Sequence, residues 1–180
     1  MANNSATLVR YETSPGGPLA SVPAGGGKVE LVWAPLGTTD FSLFHPVAGA
    51  SPVTINPTPG RFSSATAVTI PGGSGGIAPG AIVSAMLRGW LGTYPDYTSA
   101  ALMIGGGGVD PQIGYSSIFQ IDTGDPTAVP AGTPGNIVTS VPSNGFTGLN
   151  LMILPEPTSF ALLGLGAGMV AVSRRRRSLK

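Results

Sequence analysis

Residues 28–34 read KVELVWA, and the alternation of their side chains decides the fold class. The polar side consists of Lys28, Glu30 and Val32, and the apolar side consists of Val29, Leu31 and Trp33. A repeat of two is that of a β-strand with one face against a core. The stretch therefore predicts a half-buried strand.

A second stretch, AIVSAMLRGWL at residues 81–91, is the longest uninterrupted strand candidate. As a strand it directs Val83, Ala85 and Leu87 to one face, and Ile82, Ser84, Met86, Arg88 and Trp90 to the other. A helix is the alternative, but Gly89 and the β-rich neighbouring segments favour the strand.

Shorter strands are predicted at residues 6–12, 65–70, 116–121, 136–141 and 148–153, with one helical turn at 98–103. Gly and Pro together number 46 of 180 residues, and they separate these segments with turns. Short strands at such intervals, without long helices, indicate an all-β fold. We expect an antiparallel β-sandwich-like body over residues 1–153.

The charge of this body excludes one class of partner. Residues 1–153 carry four basic and seven acidic side chains, a net charge of −3, and the basic residues are scattered. Such a surface lacks the basic patch that nucleic acid requires, so we expect no nucleic-acid binding. Cysteine is absent, which removes disulfides, thiolate metal sites and a cysteine nucleophile.

Candidate catalytic groups are few. The single histidine, His45, precedes a proline in a predicted loop, where a surface role is favoured over catalysis. The acidic candidates Asp96, Asp110, Asp122 and Asp125 all lie beside or close to Pro or Gly, and turn formation explains each of them. Residues 122–125 also offer two carboxylates to calcium, but too few oxygens surround them. We predict no enzyme, no metal and no cofactor.

Aromatic side chains give a second possibility, binding of extracellular polysaccharide. The candidates for stacking on sugar rings are Trp33, Trp90, Tyr94 and Tyr97. Packing in the core is the favoured alternative for all four.

The C-terminal residues 154–180 read LPEPTSFALLGLGAGMVAVSRRRRSLK and form a segment of different character. Pro155, Glu156 and Pro157 favour an exposed, extended peptide, because proline donates no backbone hydrogen bond. Residues 160–172 are uncharged and span about 20 Å as a helix, short of the roughly 30 Å hydrocarbon core. The residues that favour membrane insertion are Phe160, Leu162, Leu163, Leu165, Val170 and Val172.

Four arginines, Arg174, Arg175, Arg176 and Arg177, follow the apolar run. Such a cluster stays hydrated on the cytoplasmic side and acts as a stop-transfer signal. We therefore predict one C-terminal transmembrane helix, with the body across the membrane. The alternative is a buried C-terminal core helix followed by a basic tail.

In these three parts the chain resembles bacterial proteins with the PEP-CTERM sorting signal. Pro155, Glu156 and Pro157 match the motif, residues 160–172 match the short transmembrane stretch, and residues 174–177 match the arginine cluster. The Gram-positive sortase motif fits worse, because Thr158 stands one place late and no glycine follows it. The resemblance implies recognition by an exosortase, an integral-membrane enzyme with a cysteine nucleophile that cleaves near the motif.

The function expected from this resemblance is that of an exported surface or extracellular-matrix protein, structural or adhesive, in a Gram-negative-type envelope. The first alternative is a permanently anchored membrane protein. A carbohydrate-binding module is the second, less favoured alternative. The N-terminal residues lack the basic and apolar regions of a secretory signal peptide. We therefore expect the natural start to lie upstream of Met1, with a vestigial tail as the alternative.

Overall fold

The computed structural model describes residues 2–47, 50–64, 77–105, 110–125, 127–133, 135, 137 and 145–154. These residues form mostly strands, with very little helix. The strands are β1 (Val9–Glu12), β2 (Leu19–Ser21), β3 (Gly27–Ala34), β4 (His45–Pro46), β5 (Val53–Thr54), β6 (Ile82–Leu91), β7 (Ile113–Tyr115), β8 (Phe119–Asp122) and β9 (Leu149–Leu151). A 3-10 turn (Phe41–Leu43) and one short helix, α1 (Tyr97–Leu102), cover part of the larger sheet.

The centre of the fold is the antiparallel pair of β3 and β6, which stay in register from Gly27 opposite Leu91 to Ala34 opposite Ser84. Both strands predicted from the alternating stretches are therefore confirmed, and the helical alternative for residues 81–91 is wrong. The larger sheet has the order β4-β3-β6-β7, with β5 also paired to β3 and β8 to β6. A second, three-stranded sheet has the order β2-β1-β9.

The two faces of β3 and β6 enter different parts of the interior. The face with Val29 and Leu87 joins the main core, to which β1 and β9 also contribute. The opposite face forms two smaller clusters, one around Met86 and Phe44 and one around Trp90 under α1. The strand at residues 28–34 is thus covered on both sides along part of its length, because Phe44, which follows the 3-10 turn, packs in one cluster with Val32 and Ala34 of its more polar face.

One pairing differs from the antiparallel arrangement that the sequence predicts. Strand β9 runs parallel to β1, with Val9 beside Leu149 and Tyr11 beside Leu151. Two isolated bridges, from Ile113 to Met152 and from Ser116 to Leu149, join it to the region of β7. Strand β9 therefore lies between the first strand of the chain and the larger sheet.

Two glycines make room for β9. Gly89 of β6 and Gly114 of β7 are register partners. A Cβ at Gly89 would lie 2.7 Å from Cδ2 of Leu149, and one at Gly114 would overlap the carbonyl oxygen of Asn150. Only residues without a side chain allow the last strand to approach this closely.

The other predicted elements had mixed outcomes. Residues 6–12 contain β1, 98–103 match α1 within one residue, 148–153 contain β9, and the strand expected at 116–121 occurs as Phe119–Asp122. Strand β7 was not predicted. The strand expected at 65–70 lies outside the described residues, as does 136–141 apart from Ile137. No helix within the described part is long and apolar enough to span a membrane, and the helix predicted at 160–172 lies outside that part.

Candidate functional site

The candidate site is the junction at which the chain leaves its folded body. Leu149 and Leu151 of β9 are 1% and 0% exposed and belong to the main core. After β9, the Met152 amide donates to the Ile113 carbonyl at 3.0 Å. Leu154, two residues further along the chain, is 41% exposed. The chain thus passes from the core to the surface within three residues.

A buried carboxylate accepts a hydrogen bond from Ile153, the residue before Leu154. Glu12, at the end of β1, is 7% exposed, and its Oε2 accepts the Ile153 amide at 3.0 Å. Gln112 donates through Nε2 to the Glu12 carbonyl at 2.8 Å, so the same corner also contacts the residue before β7. A hydrogen bond to a charged acceptor is stronger than one between neutral groups. Residue 153 is therefore fixed to the opposite end of the chain.

The described part of the β-rich body thus ends at an exposed residue, Leu154. The family model described as the PEP-CTERM protein-sorting motif matches residues 154–177. The chain therefore carries a PEP-CTERM sorting signal, which is the mark of a protein exported and sorted by an exosortase. No curated protein and no solved structure matches the chain.

The matched residues include all three parts of the tail that the sequence analysis singled out, with residues 160–172 in the middle. Pro155 to Pro157 lie at the start of the match and Arg174 to Arg177 at its end. Their separate roles, as sorting motif and stop-transfer signal, remain predictions, as do the membrane contacts of Phe160, Leu162, Leu163, Leu165, Val170 and Val172.

The aromatic residues proposed as a sugar platform lie mainly in the core. Trp33, Trp90 and Tyr97 are 5%, 0% and 5% exposed, so the alternative of core packing is confirmed for these three. Tyr94 is half-buried, and its backbone carbonyl accepts hydrogen bonds from Lys28 Nζ at 3.0 Å and Trp90 Nε1 at 3.1 Å. The rings of Trp33, Trp90 and Tyr97 therefore stabilise the fold and present no open stacking surface.

The aspartates stabilise turns, as the sequence predicts. Asp96 is the N-cap of α1, and its Oδ1 accepts the Ser99 amide at 2.7 Å, which lowers the pKa of the carboxyl group. Asp125 accepts the hydroxyl and the amide of Thr127, and these hydrogen bonds lower its pKa as well. Asp110 and Asp122 accept the amides of Gly105 and Gly124 at 2.9 Å each.

The remaining candidates do not converge on one centre. His45 is exposed and lies in β4 opposite Trp33, a short strand where the sequence suggested a loop. Among the described residues, no group of three or more histidine, aspartate or glutamate side chains is placed to hold a metal ion.

A charged pair lies under α1 and was not singled out by the sequence. Arg88 Nε donates to Glu30 Oε1 at 2.6 Å, and the two side chains are only 16% and 12% exposed. The guanidinium carbon of Arg88 also lies 4.8 Å from the ring centre of Tyr97, in cation–π contact. Burial raises the pKa of Tyr97 above its usual range. The pair thus fastens α1 to the sheet.

The structure also contains an open groove that the sequence does not reveal. It has a volume of about 440 Å³ and lies along the outer side of β1 and β9, lined mainly by Leu8, Arg10, Tyr115, Ser117, Thr147 and Asn150. We call this surface the outer groove. Its residues come from three distant parts of the chain, so no local sequence pattern indicates it.

Proposed function

We propose that this protein is an exported component of the cell surface or extracellular matrix, structural or adhesive, with a β-sandwich-like body. An exosortase recognises residues 155–157, cleaves near them and releases the body. The membrane holds the precursor through residues 160–172 during sorting. The observation that carries the proposal is the sorting-motif match at residues 154–177, which begins one residue after Ile153, the last residue with a hydrogen bond among those that the structure describes.

The junction supports this proposal because cleavage at the motif would leave the body complete. Both core leucines of β9 and the bond from Ile153 to Glu12 precede Pro155. The exposed Leu154 then leads into a proline-containing peptide that favours extended geometry. An enzyme at the membrane could bind such a peptide without unfolding the domain beside it.

We take the body to act by binding or assembly and not by catalysis. This view is supported by the turn roles of the four aspartates and by the exposed position of His45. It is tested by assaying the purified full chain against panels of glycoside and ester substrates. Turnover of any substrate would contradict this view. Turnover that persists after replacement of all four aspartates and of His45 would place the catalytic groups elsewhere in the chain.

The sorting step is tested by mass spectrometry of the protein's C-terminus in its own cells. We expect a mature C-terminus near Pro157, and we expect uncut precursor when Glu156 and Pro157 are replaced by alanine. The matched control replaces Val129 and Pro130, which are exposed in a described loop, by alanine and should be cut normally. Normal cutting of the Glu156 and Pro157 variant would contradict the proposal.

A permanently anchored membrane protein is the alternative, and the arginine cluster distinguishes it. Replacing Arg174 to Arg177 by serine removes four charges that each oppose membrane passage by roughly 2.5 to 3.5 kcal/mol. We expect this variant as full-length protein beyond the membrane, whereas the matched lysine variant should be retained and cut. An intact, membrane-held wild-type C-terminus would support permanent anchoring instead.

A further inference from the structure

The outer groove brings together polar groups from both ends of the chain. Arg10 of β1 and Asn150 of β9 are parallel neighbours in the register, so their backbones lie about 4.8 Å apart. Both residues are exposed. The hydroxyl groups of Ser117 and Thr147 lie 3.2 Å apart on the same surface. The groove thus presents one cation, one amide and two hydroxyl groups.

An aromatic ring forms one side of the groove and is held in place from behind. Tyr115 is 45% exposed, and its ring centre lies 5.8 Å from that of Phe41 in an edge contact and 5.2 Å from that of Tyr97. Two such contacts restrict the orientation of the ring. A fixed, half-open ring is suited to stacking because little entropy is lost when a ligand binds.

Arg10 is a charge without an internal role. Within the described part of the chain, its guanidinium group has no hydrogen-bond or ion-pair partner. The nearest acid along the same strand, Glu12, is buried, and its Oε2 accepts the Ile153 amide. The whole body carries a net charge of −3. Because the body as a whole is negative, it does not attract polyanions from a distance. An unpaired arginine on such a body favours a local contact with a single anionic group instead.

We propose that the outer groove binds an acidic saccharide, with a uronate unit held between Tyr115 and Arg10. The apolar face of the sugar ring stacks on Tyr115, and the carboxylate of the uronate accepts hydrogen bonds from the Arg10 guanidinium, whose planar fork matches that group. Asn150, Ser117 and Thr147 bind the sugar hydroxyls. The inference deepens the adhesive part of the proposed function and rests on it for its biological setting.

The test is a calorimetric titration of the purified full-length protein, in mild detergent, with tetragalacturonate. Cellotetraose serves as the neutral comparison. We expect binding of the acidic oligosaccharide that weakens about tenfold in R10Q, the loss typical of a charge-assisted contact. The matched control is R61Q, which changes the net charge equally at an exposed arginine that does not line the groove.

The aromatic contact is tested by a second pair of variants. Tyr115→Leu removes the ring, and we expect a several-fold loss of affinity, typical of a lost stacking contact. Tyr115→Phe keeps the ring and should bind within about twofold of wild type. Fluorescence of the buried Trp33 and Trp90 reports whether each variant is folded, and only folded variants are compared.

Three results would overturn the inference: equal weakening in R10Q and R61Q, equal affinity for cellotetraose, or no binding of tetragalacturonate at millimolar concentration. None of them involves the exosortase. The titration can therefore fail while sorting is confirmed, and sorting can fail while the groove still binds.

Discussion

Replacement of Gly114 by alanine is the most direct test of how β9 is held. The added Cβ would overlap the Asn150 carbonyl oxygen and lie 3.0 Å from its carbonyl carbon and 3.2 Å from Cα of Leu151. All three are backbone atoms, so no side chain can turn aside. The φ angle of Gly114 is not in the left-handed region, and the effect is therefore steric. Strand propensity alone would favour alanine over glycine.

The expected magnitude lies between two limits. If β9 shifts slightly and stays in place, the cost is that of overpacking, about 1 to 3 kcal/mol. If β9 leaves the core, the burial of Leu149 and Leu151 is lost, at about 1.5 to 3 kcal/mol each. We expect a loss of about 3 kcal/mol, or roughly 6 to 12 °C in Tm for a chain of this size.

The assay is thermal unfolding of the full-length protein, followed by the fluorescence of Trp33 and Trp90. Gly26→Ala is the control, because its Cβ would lie 3.1 Å from the nearest atom, the Pro23 carbonyl oxygen, and overlap nothing. It should lower Tm by less than about 2 °C, the value for roughly 1 kcal/mol. A Gly114 variant as stable as the wild type would refute the close approach of β7 and β9.

Three further predictions concern polar contacts. Asp96→Ala should lower Tm at pH 7, and the difference from wild type should disappear in acid. The hydrogen bonds from Ser99 lower the pKa of Asp96 from 3.8 in the folded state. Their stabilisation is therefore present above that value and is lost as pH falls through the folded-state pKa. Replacing Glu30 and Arg88 singly and together should give a coupling free energy of about 1 to 3 kcal/mol in chemical unfolding. Glu12→Ala should speed hydrogen exchange at the Ile153 amide, whereas Glu12→Gln, which keeps an acceptor oxygen, should speed it less.

Each of these predictions has an opposing result. An Asp96 effect of the same size at pH 2.5 would mean that the carboxylate charge is not what caps α1. Additive effects of the two single changes would show that Glu30 and Arg88 are not coupled. Unchanged exchange at Ile153 after removal of the Glu12 carboxylate would place its protection in the β9 backbone alone.

Local patterns predicted the centre of the fold. The alternation in residues 28–34 and 81–91 indicated two strands and separated Val29 and Leu87 from Glu30 and Arg88. Aspartates beside Pro or Gly indicated turns, because a short acceptor side chain reaches the backbone amides that follow it. Both features are determined by residues close together in the sequence, and local sequence patterns therefore predict them.

Features that depend on distant contacts were not predicted. The parallel pairing of β1 with β9 joins residues 140 positions apart, as between Val9 and Leu149, and three residues are too few to show a period. Gly114 lies inside β7 and makes room for β9, a role that depends on contacts with residues 150 and 151 and has no local signal. The outer groove depends on the same pairing, which is why Arg10 and Tyr115 gave no signal.

The position of β9 has a consequence for the timing of folding. The first strand of the chain finds its parallel partner only in residues 149–151, and two fully buried leucines of the main core arrive with them. A chain that crosses a membrane from its N-terminus cannot close this core until almost the whole body has passed. Contacts between such distant residues also form slowly. For a chain exported from its N-terminus, completion of this core would therefore coincide with arrival of residues 154–177 at the membrane.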